Sequence, residues 1–216
     1  MAIASQVKLA LAAAAANNIA ASQSPGAGTI TLNGSVGTGN LDTARRIAIA
    51  SGGNDSGITF TVTGTNRGGN ALSETITGGN IATVYTTQDF LSVSSVTHTG
   101  SIAGTVEVGT NQVASSMWLL VDRDVNPTNI GLGVVISGTI NYSVEYTFDD
   151  PNAPFTGTFP TVFSDLTPTA LVNATATKDA AWPAGLTVFA IRLTQNSFTS
   201  PATAAMIMLQ SVLTPT

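Results

Sequence analysis

An all-β fold is predicted by three features of the chain. Charged residues make up only 9% of it and hydrophobic ones 43%, where an average domain is about a quarter charged. Solvation falls instead to 33 Thr, 19 Ser and 15 Asn. Thr at this density favours strands, because β-branched side chains fit a pleated surface. Beyond Pro25 the apolar residues recur at every second position, the period of a half-buried strand. These features exclude a coiled coil and an ordinary helical bundle. Plentiful Val, Ile, Leu and Phe with a net charge of −5 exclude a disordered chain. A length of 216 residues suffices for one medium domain or two small ones.

The first element in order is the exception. Lys8 followed by Leu-Ala-Leu and an alanine run imitates a secretory signal, but an alanine h-region is weakly apolar and the positive charge comes late. The run reads instead as a short helix from Ser5 to Ala16, with Ser5 as N-cap and Asn17-Asn18 as its end. Such a helix buries little area, so it is expected to lean on a neighbouring subunit. Deletion of residues 1–24 is then expected to leave the rest folded.

Strand signals follow at Ile30/Leu32, Ile47/Ile49 and Ile58/Phe60/Val62, the last with Thr59, Thr61 and Thr63 outward. Asn66-Arg67-Gly68-Gly69 reads as a hairpin turn, with Leu72, Glu74 and Ile76 on the return strand. Val84–Thr87, Leu91–Val96 and Thr105–Val108 read as three more short strands. Around Asn111–Ser116 the chain turns polar, and Trp118–Val121 opens a second series. The longest signal runs from Gly131 to Phe148, with Ile140, Tyr142, Val144, Tyr146 and Phe148 on one face. Residues 151–185 read mostly as loop, anchored by Phe155, Phe159, Phe163 and Trp182. Thr187–Thr194 reads as a strand, and Ala205–Leu213 is apolar enough for a strand or a helix, with a strand favoured because it follows a hairpin-like Asn196–Pro201. The predicted organisation is an N-terminal arm or helix (1–24) and two sandwich-like, jelly-roll or Ig-like β-domains (25–110 and 111–216).

The titratable residues point away from chemistry. His98 is the one histidine and there is no cysteine, so any Ser-His-Asp triad would have to use His98. Its neighbours suggest an outward position at a strand end. Asp122, Asp124 and Asn126 open like a calcium loop, but Pro127 and Gly133 stand where that loop needs Gly and Glu. Asp149-Asp150-Pro151 reads as a strand-ending turn. The glutamates Glu74, Glu107 and Glu145 lie on strands, with Trp118 and Trp182 as the conceivable sugar platform and core anchoring as the plainer role. Gly37-Thr38-Gly39 is too short for a phosphate loop, and the sequons at Asn33, Asn54, Asn141 and Asn173 are what an Asn/Thr-rich chain produces by chance. We therefore expect no catalytic, cofactor-binding or metal-binding residues. Seven basic residues against twelve acidic ones supply no basic stripe for nucleic acid, and no apolar run reaches the length of a membrane span.

The segment Arg45–Thr65, its turn Asn66–Asn70 and Ser73–Gly78 resemble a pattern of virion structural proteins in tailed bacteriophages. Tyr142–Pro151 and Ala190–Thr194 fit the same class. The resemblance implies a structural role on the capsid or at the head–tail junction, in a particle assembled in the bacterial host cytoplasm, and it carries over no site residues. The expected function is capsid decoration or cementing by a homo-oligomer, with the major capsid protein or other virion proteins as partners. The alternatives are a head–tail connector or tail component, or a carbohydrate-binding, adhesin-like virion protein.

Overall fold

The computed structural model describes residues 2–124, 129–151, 161–183 and 187–211. Among these, the regular structure is twelve strands and one 3-10 turn, Thr169–Leu171. In chain order the strands are β1 (Ala2–Leu11), β2 (Ala15–Gln23), β3 (Gly28–Thr29), β4 (Asn40–Ser51), β5 (Thr59–Thr65), β6 (Ala71–Thr77), β7 (Thr83–His98), β8 (Val106–Ser115), β9 (Leu119–Leu120), β10 (Asn129–Thr147), β11 (Lys178–Ala181) and β12 (Ala190–Ser211). The chain is all-β, and it gathers into two compact units. One comprises residues 13–114; the other comprises residues 1–12 together with 115–216.

In the unit of residues 13–114 the strand order is β6–β5–β7–β4–β8, with β3 also on β7 and β2 also on β8. The β5–β6 hairpin turns through Asn66–Asn70 as the sequence predicts: Asn66 N–H donates to Asn70 O, and Gly69 takes a φ of +80°. The expected strands Val84–Thr87 and Leu91–Val96 are one strand, β7. It absorbs the break as an irregularity against β4 between Arg46 and Ala48, where the Ile47 N–H is satisfied by Thr86 Oγ1 at 2.8 Å. Phe60, Val62, Leu72, Phe90, Val93 and Val96 fill the core of this unit. Gly64 sits at a bulge where β5 and β7 approach so closely that a Cβ would run into the Ser92 carbonyl, and there only glycine fits.

In the second unit β12 is central. One edge pairs with β10 along the strand's length; the other pairs with β1 over Ala202–Ser211 and with β9 at Ala190 and Ile191. β11 extends the sheet on the far side of β10. The expected hairpin at Asn196–Pro201 is absent, because β12 runs straight through it. Proline has no N–H for the ladder, and the ladder accommodates this with an irregularity in which Ser200–Ala202 of β12 face the single Gly138 of β10, whose φ is +85°.

The predicted helix over residues 5–16 is not formed. Val7, Leu9 and Leu11 are buried while Gln6, Lys8 and Ala10 are exposed, a period-two pattern on a strand paired residue for residue with β12. Alanine's helix preference is a weak prior, and a short alanine helix has marginal stability alone. Ten ladder pairs and an apolar face outweigh it. Residues 15–23 are likewise extended, as β2 against β8, so the N-terminal segment is no free helical arm. Within each unit the strands join one continuous hydrogen-bonded sheet.

The long apolar face of β10 behaves as its alternation predicts for Ile140, Tyr142, Val144 and Tyr146, all buried, whereas Phe148 is 48% exposed. Phe148 nonetheless packs on Tyr146, which also contacts Phe163 and Trp182, each at a centroid distance of 5.5–5.6 Å. Tyr146 Oη donates to Asp165 Oδ1 at 2.6 Å. Burial, that hydrogen bond and the nearby carboxylate charge push the Tyr146 phenol up to about 12. Its unfolded value is about 10, so the stabilisation is complete below that pH and is lost as pH rises through the folded value. We expect the urea midpoint to fall between about pH 10 and 12, and to fall less steeply in Tyr146→Phe. Equal slopes would place the alkaline sensitivity elsewhere. Phe155 and Phe159 lie outside the described residues.

Candidate functional site

The ionisable side chains weighed above are dispersed and occupied. Glu74, on β6, accepts from Thr87 N–H at 2.7 Å, Thr87 Oγ1 at 2.9 Å and Gln88 N–H at 2.9 Å, pinning the irregular stretch of β7. Glu145 and Arg192 are a cross-strand pair of β10 and β12, joined at 2.8 Å, and Thr194 Oγ1 donates to the same Glu145 oxygen at 2.7 Å. Glu107 is half-buried on β8. The three glutamates do not converge.

His98 is buried, contrary to the outward position expected. It faces inward because it pairs with Phe60 across β5 and β7 and tilts onto that ring, 5.9 Å away. Its Nδ1 lies 2.7 Å from Gly100 O and is assigned as the donor to it, and Nε2 is buried with no partner among the described residues. Asp122 Oδ1 accepts from Asp124 N–H at 3.0 Å, a local turn; Asn126 and Pro127 lie outside the described residues. Among the described residues, no three His, Asp or Glu side chains gather into a metal-binding cluster. No helix among them is long and apolar enough to cross a membrane.

The sugar-platform residues are also committed. Trp182 is buried against Tyr146, and the ring of Trp118 is covered by the Arg192 guanidinium at 4.8 Å. Sequence reasoning missed the burial of Arg45, 1% exposed, which is held by Asp42 at 2.6 Å and donates to Asn111 O. An arginine inside β4 has no local signature; only its i−3 aspartate hints at it.

What the unit of residues 13–114 does present is a broad neutral face. Thr59, Thr61 and Thr63 stand opposite Thr77, Thr75 and Ser73 on β6, and Thr61 and Thr63 stand opposite Thr97 and Ser95 on β7. Thr29 on β3 extends the Thr97 row, so Thr75, Thr61, Thr97 and Thr29 line up across four strands. Neighbouring hydroxyls bond one another, Thr61 to Thr75 at 3.3 Å and Thr65 to Ser92 at 2.7 Å. Alternation puts Phe60, Val62 and Val96 on the opposite, buried side. The outer face holds no charge. It offers many exchangeable hydroxyls whose desolvation costs far less than that of ions.

No protein-family model matches the chain, and no curated protein is similar to it in sequence. Among solved structures, the major capsid protein P2 of bacteriophage PM2 is similar at 12% identity over 97% of this chain and 98% of that one, with a TM-score of 0.25. A score that low is no common fold, and the likeness carries no argument about function.

Proposed function

We propose that this protein is a structural component of a tailed-bacteriophage virion, with no catalytic role, that decorates or cements the capsid through contacts between subunits. The observation that carries the reading is the uncharged Thr/Ser face of β5, β6, β7 and β3. Neutral hydroxyls that already bond one another exchange partners at little desolvation cost. Repetition over a shell turns weak single contacts into firm attachment. The resemblance of Arg45–Gly78 to virion proteins points the same way.

The test is co-sedimentation of the purified protein with capsid shells that lack it. We expect saturable binding to shells, and its loss in the variant Thr61→Glu/Thr97→Glu, which puts unpaired charge at the centre of the face without touching the core. Binding to tails but not shells would favour a head–tail or tail component. Binding to neither, with a positive glycan array, would overturn the structural reading in favour of a carbohydrate-binding protein.

A further inference from the structure

The outer face of the sheet β1–β12–β10–β11 is apolar and uncovered. Ile207 and Leu209 on β12 are 40% and 46% exposed, and Val135 on β10 is 51% exposed. The register places them in rows across the sheet. Ala4, Leu209, Gly131 and Ala181 form one row; Gln6, Ile207, Gly133 and Asp179 form the next; Lys8, Ala205 and Val135 form the third. Ile207 and Leu209 thus make a ridge along β12. Gly131 and Gly133 make a trough beside it along β10. Among the described residues none fills that trough, since a Cβ at Gly133 would meet no atom within 4 Å. Glycine inside a strand weakens it and often marks a close approach by another backbone or a ligand. The two edges of the face carry opposite charge: Lys8 on β1 and Asp179 on β11, both exposed and about three strand spacings, roughly 14 Å, apart.

We propose that this face docks on the same face of a second copy, across a twofold axis running along the strands between β12 and β10. The strand order carries the argument, because that axis exchanges β12 with β10 and β1 with β11. Each row then meets itself reversed. Leu209 lies over the partner's trough at Gly131, Ile207 over that at Gly133, and Ala205 over Val135, so a large side chain meets a small one in all three rows. The same operation brings Gln6 over Asp179 and Lys8 within one row of it, about 7 Å along the strand and within a lysine's reach. Self-complementarity of this kind is what an isologous dimer requires, and face-to-face packing of sheets is a standard arrangement. Three strands of about ten residues and the four residues of β11 cover up to roughly 540 Å² per copy, in the range of weak, transient interfaces. The contact is therefore modest singly and gains from repetition. The inference rests on the homo-oligomeric part of the function proposed above and names its surface.

Analytical ultracentrifugation of the full chain is the test. The wild type should dimerise reversibly. Gly133→Val fills the trough at no cost inside the chain, and should weaken dimerisation at least roughly tenfold with an unchanged or raised unfolding midpoint. Lys8→Asp and Asp179→Lys should each weaken it, and the double variant should recover it, which no structural damage would mimic. The charge pair decides the question even if Gly133→Val folds poorly. A wild type monomeric at all concentrations, or no recovery in the double variant, overturns the proposal. If self-association fails while shells are still bound, the virion reading stands without this interface; if dimers form but no shells are bound, the virion reading alone fails.

Discussion

Tyr146→Ser is expected to cost about 3–5 kcal/mol, the range for large buried aromatics cut to small residues. The ring is 1% exposed and touches Phe148, Phe163 and Trp182 at once. Serine leaves most of that volume empty, and cavities in close-packed interiors collapse only partly. It also removes the donor to Asp165 Oδ1. Set against a net stability of about 5–15 kcal/mol, the loss should lower the thermal midpoint by on the order of 10 °C or more. Tyr146→Phe keeps the ring and loses only the hydroxyl, so it should cost about 0.5–1.5 kcal/mol. A serine variant unfolding within about half a kcal/mol of the wild type would place that face at the surface.

Removing residues 1–12 is expected to be more damaging still. The strand β1 contributes three buried side chains, Val7, Leu9 and Leu11, each worth about 1.5–3 kcal/mol of burial. It also pairs with β12 from Ala2↔Ser211 to Leu11↔Ala202. Without it, half of one edge of β12 is unpaired, and a long, flat, apolar edge invites aggregation. Residues 115–216 should lose cooperative unfolding, while residues 13–114, whose ladder needs nothing from β1, keep theirs. Urea unfolding followed by the two tryptophans, Trp118 and Trp182, reports on the unit of residues 1–12 and 115–216 alone. A cooperative, unshifted transition in the truncated chain would restore the detachable N-terminal segment that the sequence suggests.

Where the sequence was legible, one physical rule sufficed. Alternation of period two identifies β5, β6 and most of β10, because a strand with one face inside must repeat every second residue. The N-terminal run misled because alanine and leucine serve a helix as readily as a strand. What decides between them is β12, remote in sequence. The end of β12 was ambiguous for a related reason: Ala204, Met206 and Met208 point inward while Ala205, Ile207 and Leu209 point outward, so the alternation is erased. That erasure is itself the signature of an apolar outer face. His98 was misplaced because its threonine neighbours are outward, and alternation then requires the histidine to be inward. Gly131 and Gly133 fall within the longest strand signal of the sequence, but only the register sets them beside Ile207 and Leu209.

The pairing of β1 with β12 also sets a schedule for synthesis. Leu11 leaves the ribosome long before Ala202, its ladder partner, and at about 5–20 residues per second the wait is on the order of 10–40 s. Residues 13–114 lie wholly between the two and hold their own ladder, so they have time to fold first. During that interval β1 waits as an unpaired strand with Val7, Leu9 and Leu11 uncovered. Closing so long a loop is slow, as high contact order dictates. The lysine and glutamine on its other face are then its protection against the wrong neighbour. In a cell making many copies at once, the late emergence of β12 decides whether β1 finds its own chain or another's.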